Sequence, residues 1–139
     1  MNSRPLTASV DAILDAIPYC RFLGITARMD APGEVLCVLA FAPHIIGNPV
    51  LPAIHGGVLG AFLETAAIMQ VIAETGGAAL PKPVDVTIDY LRSARPVDCF
   101  AKARITKLGR RVVNVHAECW QEDAAKPVAA LRGHFLIAA

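Results

Sequence analysis

The residues best suited to chemistry stand in one run, HGGVLGAFLETAAIMQ, positions 55 to 70. It opens on His55 and two glycines and carries a single acid, Glu64, among apolar neighbours. A carboxylate is costly to bury without a partner, so its place here needs a reason. One reason is structural: the acid hydrogen-bonds a neighbouring chain or loop and fixes register. The other is catalytic: a general base or nucleophile tuned by partial burial. On a wheel of about 100° per residue, Gly57, Gly60, Ile68 and Val71 fall within about 40° of Glu64. Gln70 and Glu74 lie farther round and are expected to face solvent. Glu64 therefore stands over a stripe floored by glycines, with room left for something else.

At the start of the same helix, Gly56 and Gly57 present N–H groups that have no intrahelical partner and are backed by the helix dipole. A substrate oxygen can approach a glycine amide with no Cβ in the way, which is the physics of an oxyanion hole. Two glycines equally suit a tight loop-to-helix turn. Gly56 and Glu64 are eight residues apart, ~12 Å along the axis. An acid and an oxyanion donor must both come within ~3 Å of the reacting atoms. Two antiparallel copies of the helix would bring Gly56 of one chain beside Glu64 of its twin. The spacing thus predicts an obligate two-fold dimer with two shared sites.

The elements that must hold these residues can be read from periodicity. TASVDAILDAI, 7–17, is an amphipathic helix ended by Pro18. EVLCVLAFA, 34–42, is a strand apolar on both faces, and APHIIGNPVLPA, 42–53, with three prolines and a glycine, is an irregular loop. The long helix runs from about 57 to 74 and stops before Gly76-Gly77. Then period two takes over. Val84, Val86, Ile88 and Tyr90 share one face of a strand; so do Cys99, Ala101, Ala103 and Ile105; Val113, Val115, Ala117 and Cys119; and Ala129, Leu131, Gly133, Phe135 and Ile137. Leu108-Gly109-Arg110-Arg111 is a tight connection. The expected architecture is α+β: one domain over residues 1–139, with a long apolar helix against an antiparallel sheet of about five strands, solvated on its far side and in need of closure on one flank.

Composition narrows the classes. The chain is 55% hydrophobic and 18% charged, with a net charge of +1, which gives no general reason to expect nucleic acid. No uninterrupted apolar run reaches the length of a membrane span, and the N-terminus lacks the apolar core of a secretory signal. Cys20, Cys37, Cys99 and Cys119 show no C-x-x-C spacing and are expected to be buried free thiols in a reducing cytoplasm. His44, His55, His116 and His134 show no metal-binding spacing, so no metal is expected. There is no G-x-S-x-G elbow and no P-loop.

HGG, six residues, then an acid, followed in order by DYLRSARP and KLGRR, resembles the hotdog-fold acyl-CoA thioesterases, in particular the PaaI-like branch of the 4-hydroxybenzoyl-CoA thioesterase superfamily. The resemblance runs from about residue 20 to the C-terminus. It implies a hotdog fold in which Glu64 attacks the thioester or activates water, the Gly56 N–H polarises the carbonyl, and His55 shapes that end of the site. A polar loop residue orients water or substrate in that family; Asn48 is the nearest match, one residue farther from the acid than the pattern expects. Segments like DYLR and LGRR line the nucleotide groove, which points to Tyr90, Arg92, Gly109 and Arg110, with Arg95 and Arg111 beside them as candidate partners for the phosphates of coenzyme A. The implied partners are acyl-CoA, as substrate rather than cofactor, and further copies of the chain, as a dimer or a dimer of dimers. The acyl pocket is expected to be lined by Ile54, Phe62, Ile68 and Met69. Two other readings stay open. The segment NPVLPAIHGGVLGAFLETAAIMQ also resembles the helix of hotdog hydroxyacyl-thioester dehydratases, which pair the glutamate with a histidine; the candidate, His44, stands twenty residues before Glu64. The third reading is a non-catalytic dimer that binds acyl thioesters.

Overall fold

The computed structural model describes residues 9–77 and 81–137. A short helix α1 (Val10–Asp15) is followed by α2 (Pro18–Leu23), strands β1 (Ile25–Ala31) and β2 (Glu34–Leu39), a 3-10 turn at Pro43–Ile45, and the small strands β3 (Ile46–Asn48) and β4 (Ala53–Ile54). The long helix α3 (Gly56–Thr75) comes next, then β5 (Lys82–Tyr90), β6 (Cys99–Leu108), β7 (Val112–Trp120) and β8 (Ala129–Leu136). The main sheet is antiparallel throughout, in the order β1-β2-β6-β7-β8-β5.

The alternating strands behave as their period predicts. Val113, Val115, Ala117 and Cys119 of β7 are buried, as are Ala129, Leu131, Gly133 and Phe135 of β8, and all face α3. The helix is buried on most of its circumference, with Phe62, Leu63, Ala67, Met69 and Val71 fully enclosed. By length and composition α3 could cross a membrane, but here it is the core helix held in the curl of the sheet. One stripe stays partly open: Gly57, Ala61, Glu64 and Ile68. That spacing of four, three and four residues marks a single helix face.

Five expectations need correction. The main sheet has six strands among the described residues, not about five. The sequence ITARMDA of β1 buries only Ile25 and Ala27 before turning polar, too short an alternation to read. Pro18 does end α1, but it also starts α2, where its missing N–H costs nothing at the first helical position. The expected first helix is shorter, and residues 7 and 8 lie outside the described residues. The loop 42–53 contains the 3-10 turn and β3, and it runs into β4, with which β3 pairs. Finally, Gln70 does not face solvent. It is 6% exposed, accepts from the Val35 N–H at 3.1 Å and donates to the Gly33 carbonyl at 2.7 Å, fastening the β1–β2 hairpin to the helix. Glu74 is exposed as expected.

The strand β5 forms one edge of the sheet, opposite β1. Its Ile88 packs against the core, but its other apolar residues on that face are open: Val84 is 62% exposed, Val86 38% and Tyr90 55%. Its inner neighbour β8 carries Gly133, where a Cβ would stand 2.9 Å from the Asp85 carbonyl oxygen, so only glycine lets the two strands approach here.

Candidate active site

The first turn of α3 is built around two histidine-linked contacts. The backbone N–H of His55 donates to the Ile45 carbonyl at 2.9 Å, which ties the helix start to the preceding loop. The side chain then turns back over the first turn as N-cap, its Nδ1 accepting from the Gly57 N–H at 2.8 Å. To accept there, the ring must carry its proton on Nε2. The Val58 and Leu59 amides bond the His55 carbonyl at 3.0 and 3.2 Å. The Gly56 N–H alone among the amides of this turn has no acceptor among the described residues. An unpartnered N–H at the positive end of a 20-residue helix is a donor waiting for an oxyanion.

The glycines do not leave the empty floor expected of them. A Cβ on Gly56 would stand 3.2 Å from Tyr90 Cε1, and one on Gly60 2.9 Å from Ile88 Cδ1. Side chains of β5 fill that space within the same chain, and the Tyr90 hydroxyl donates to the Gly56 carbonyl at 2.9 Å. A Cβ on Gly57 would meet the His55 ring at 2.9 Å. The glycines therefore admit the edge strand and the capping imidazole, while the Gly56 N–H stays accessible from beyond the helix end. A cavity of about 350 Å³ opens there, with Gly56, Tyr90, Arg92 and Ser93 in its wall.

Glu64 lies two turns farther along, half-buried, on the open stripe with Gly57, Ala61 and Ile68. It has no hydrogen-bond or ion-pair partner among the described residues. Within one chain it remains ~12 Å from Gly56 along the axis.

Other expected site residues are placed differently. Asn48 is exposed and its Oδ1 is occupied, accepting from the Val50 and Leu51 amides at 2.9 and 3.2 Å to shape the loop. The Arg92 guanidinium donates to the Pro127 carbonyl, and Arg95 pairs with Glu122. Gly109 closes the β6–β7 turn, donating to the Val112 carbonyl at 3.0 Å, and Arg110 and Arg111 stand exposed at its tip. The arginines do not form one cluster in a single chain. Tyr90 pairs with Ala129 and so with Cys119, whereas Val112 pairs with Leu136 at the opposite end of β7. Seven residues of strand put ~20 Å between the two groups. Sequence gives strand pattern but not sheet order, and the order is what separates them.

The expected acyl pocket also changes. Phe62 and Met69 are fully buried and belong to the core; Ile54, only 5% exposed, packs on the core and also lines the cavity beside Gly56, and Ile68 reaches the open stripe. His44 is engaged elsewhere: its Nε2 bonds the Phe22 carbonyl at 2.8 Å and its ring lies 4.9 Å from that of Phe22. The cysteines are buried and free. Burial pushes the thiols of Cys37 and Cys119 up to about 12 and that of Cys99 to about 11, and it raises Cys20 as well. None supplies a thiolate at neutral pH.

Comparison with known proteins fits this frame. The model of the thioesterase superfamily matches residues 51–128, more than half of the chain, spanning Gly56, Glu64, Tyr90 and Arg110. The chain belongs to the thioesterase superfamily. No curated protein matches it. Among solved structures of the superfamily's fold, a Chromobacterium violaceum protein is 40% identical, with a TM-score of 0.74 over 91% of this chain and 87% of that one. A Ralstonia eutropha phenylacetic acid degradation-related protein, a candidate thioesterase, is 25% identical, with a TM-score of 0.77 over 94% of this chain and 100% of that one. A Bacillus halodurans protein crystallised with CoA is 19% identical, with a TM-score of 0.78 over 87% and 78%. The fold is the hotdog fold of this superfamily, and the coarse activity that membership supports is thioester hydrolysis.

Proposed function

We propose that this protein hydrolyses an acyl-CoA thioester to a free acid and coenzyme A, working as a two-fold dimer in the cytoplasm. The observation that carries the reading is the pairing of one unpartnered amide, Gly56 N–H, with one unpartnered carboxylate, Glu64, on the same helix but too far apart to meet within a chain. The open stripe Gly57, Ala61, Glu64 and Ile68, small in its first two places, offers a face to a second, antiparallel α3. The unpaired edge β5 and its exposed Val84 and Val86 supply a continuous surface beside it. In such a dimer the Gly56 amide of one protomer receives the oxyanion, while Glu64 of the other either attacks the thioester carbon, forming an anhydride that water then hydrolyses, or takes a proton from a water molecule as that water attacks. Coenzyme A leaves as the thiol. Arg92 on one protomer and Arg110 at the far end of another are the phosphate partners the assembly would offer. The relative crystallised with CoA supports coenzyme A as the carrier.

The dehydratase reading loses ground because its histidine, His44, is bonded to Phe22. The test is release of free thiol from a panel of acyl-CoAs. Wild type is expected to release thiol, and Glu64→Gln to lose at least a hundredfold in kcat while keeping its fold. Unchanged turnover in that variant would make the acid structural.

A further inference from the structure

The Tyr90 hydroxyl does something the proposed reaction leaves unexplained. It reaches from the edge strand to the first residue of α3 and donates to the Gly56 carbonyl at 2.9 Å. In a helix that carbonyl already receives the amide four residues on, so the tyrosine adds a second, lateral bond to a group that was satisfied. The ring lies flat enough on the glycine that any Cβ at position 56 would stand 3.2 to 3.5 Å from three of its atoms. Gly60 completes the fit, since a Cβ there would stand 2.9 Å from Ile88 Cδ1 and 3.7 Å from the tyrosine oxygen. Two glycines, one per turn, thus seat one tyrosine against the helix start.

The residue so held is the one with the free amide. First-turn amides fray readily, and Gly56, lacking a side chain, has the widest choice of backbone angles. His55 fastens the next amide, Gly57, and the Ile45 carbonyl fastens the one before. The peptide that carries the Gly56 N–H is held at its other end by the Val58 and Leu59 amides on the His55 carbonyl. The Tyr90 hydroxyl on the Gly56 carbonyl is the one clasp on this residue from the edge strand, fixing the backbone on the far side of its Cα. An oxyanion donor acts by standing in place before charge develops, so a few tenths of an ångström of drift weakens it.

We propose that Tyr90 is a positioning residue that fixes the aim of the Gly56 amide, rather than a wall of the nucleotide groove. The proposal rests on the thioesterase reading for its kinetic consequence but not for its structural one. The test is Tyr90→Phe, which keeps the ring and removes the hydroxyl. With an acyl-CoA that wild type hydrolyses, kcat is expected to fall about tenfold while KM stays within about twofold and the unfolding midpoint is unchanged. A raised KM at constant kcat, or no change in either, overturns the proposal, the first by returning Tyr90 to substrate binding. A second readout does not depend on turnover. In ¹⁵N-resolved NMR spectra without substrate, the Gly56 and Gly57 amides are expected to shift and the Gly60 amide to exchange faster with solvent in Tyr90→Phe, with distant helix amides unmoved. Unmoved Gly56 and Gly57 resonances overturn the proposal even if no acyl-CoA proves to be a substrate. Absence of turnover in wild type, with those shifts present, sinks the thioesterase reading and leaves the lock standing.

Discussion

The His55 ring takes the amide of Gly57 through Nδ1 at 2.8 Å, and by doing so leaves the neighbouring Gly56 amide as the one free donor of the helix start. His55→Ala removes this cap. Helix N-caps contribute ~1 kcal/mol, so the variant should unfold at a lower urea concentration by that amount, and His55→Asn should recover most of it. If the alanine variant unfolds like wild type, the imidazole does not cap the helix in solution.

Stability should fall in alkali. The thiols of Cys37, Cys99 and Cys119 are held well above their ordinary value by burial, at about 12, 11 and 12. The folded state therefore keeps protons that the unfolded chain gives up from about pH 9. Their contribution is complete below that pH and is lost as pH climbs toward 11 and 12, at up to ~1.4 kcal/mol per pH unit for each thiol. Urea midpoints between pH 8 and 10.5 check the sign. Cys119→Ala should lower stability at pH 8 through lost packing yet show a shallower decline. An equal slope in that variant would place the titration elsewhere.

The edge strand should control assembly. Val84 is 62% exposed in the single chain, so Val84→Lys adds charge to the open edge at little cost to the fold. Sedimentation should show a dimer for wild type and a monomer for the variant, with turnover lost in proportion to the dimer. A folded, active Val84→Lys monomer would contradict the role given to this edge.

The sequence made some of this plain and hid the rest for physical reasons. The helix α3 and strands β6, β7 and β8 have each a buried face with a regular period, and their bounds follow from it. Strand β1 was hidden because it buries only two side chains, and α2 because Pro18 serves both to stop one helix and to start another. Gln70 looked solvent-facing because polarity says nothing of an amide whose both ends are bonded to backbone. Gly56 and Glu64 were legible as site candidates from type and spacing. That Tyr90 and Ile88 fill the glycine stripe was not, since it depends on which strand lies across the helix. The same missing information, sheet order, made two separated arginine pairs read as one group.

The central claim is that each site draws its donor from one protomer and its acid from the other. Gly56→Pro removes the amide at the first helical position, where proline is tolerated, with a small shift of Tyr90 to admit the ring. Glu64→Gln removes the acid. Each variant alone should be inactive. Unfolded together in equal amounts and refolded, they should recover about one quarter of wild-type thiol release, because half the dimers are mixed and each mixed dimer holds one intact site. No recovery from a mixture that contains mixed dimers would mean that amide and acid serve within the same chain, and the account would be wrong.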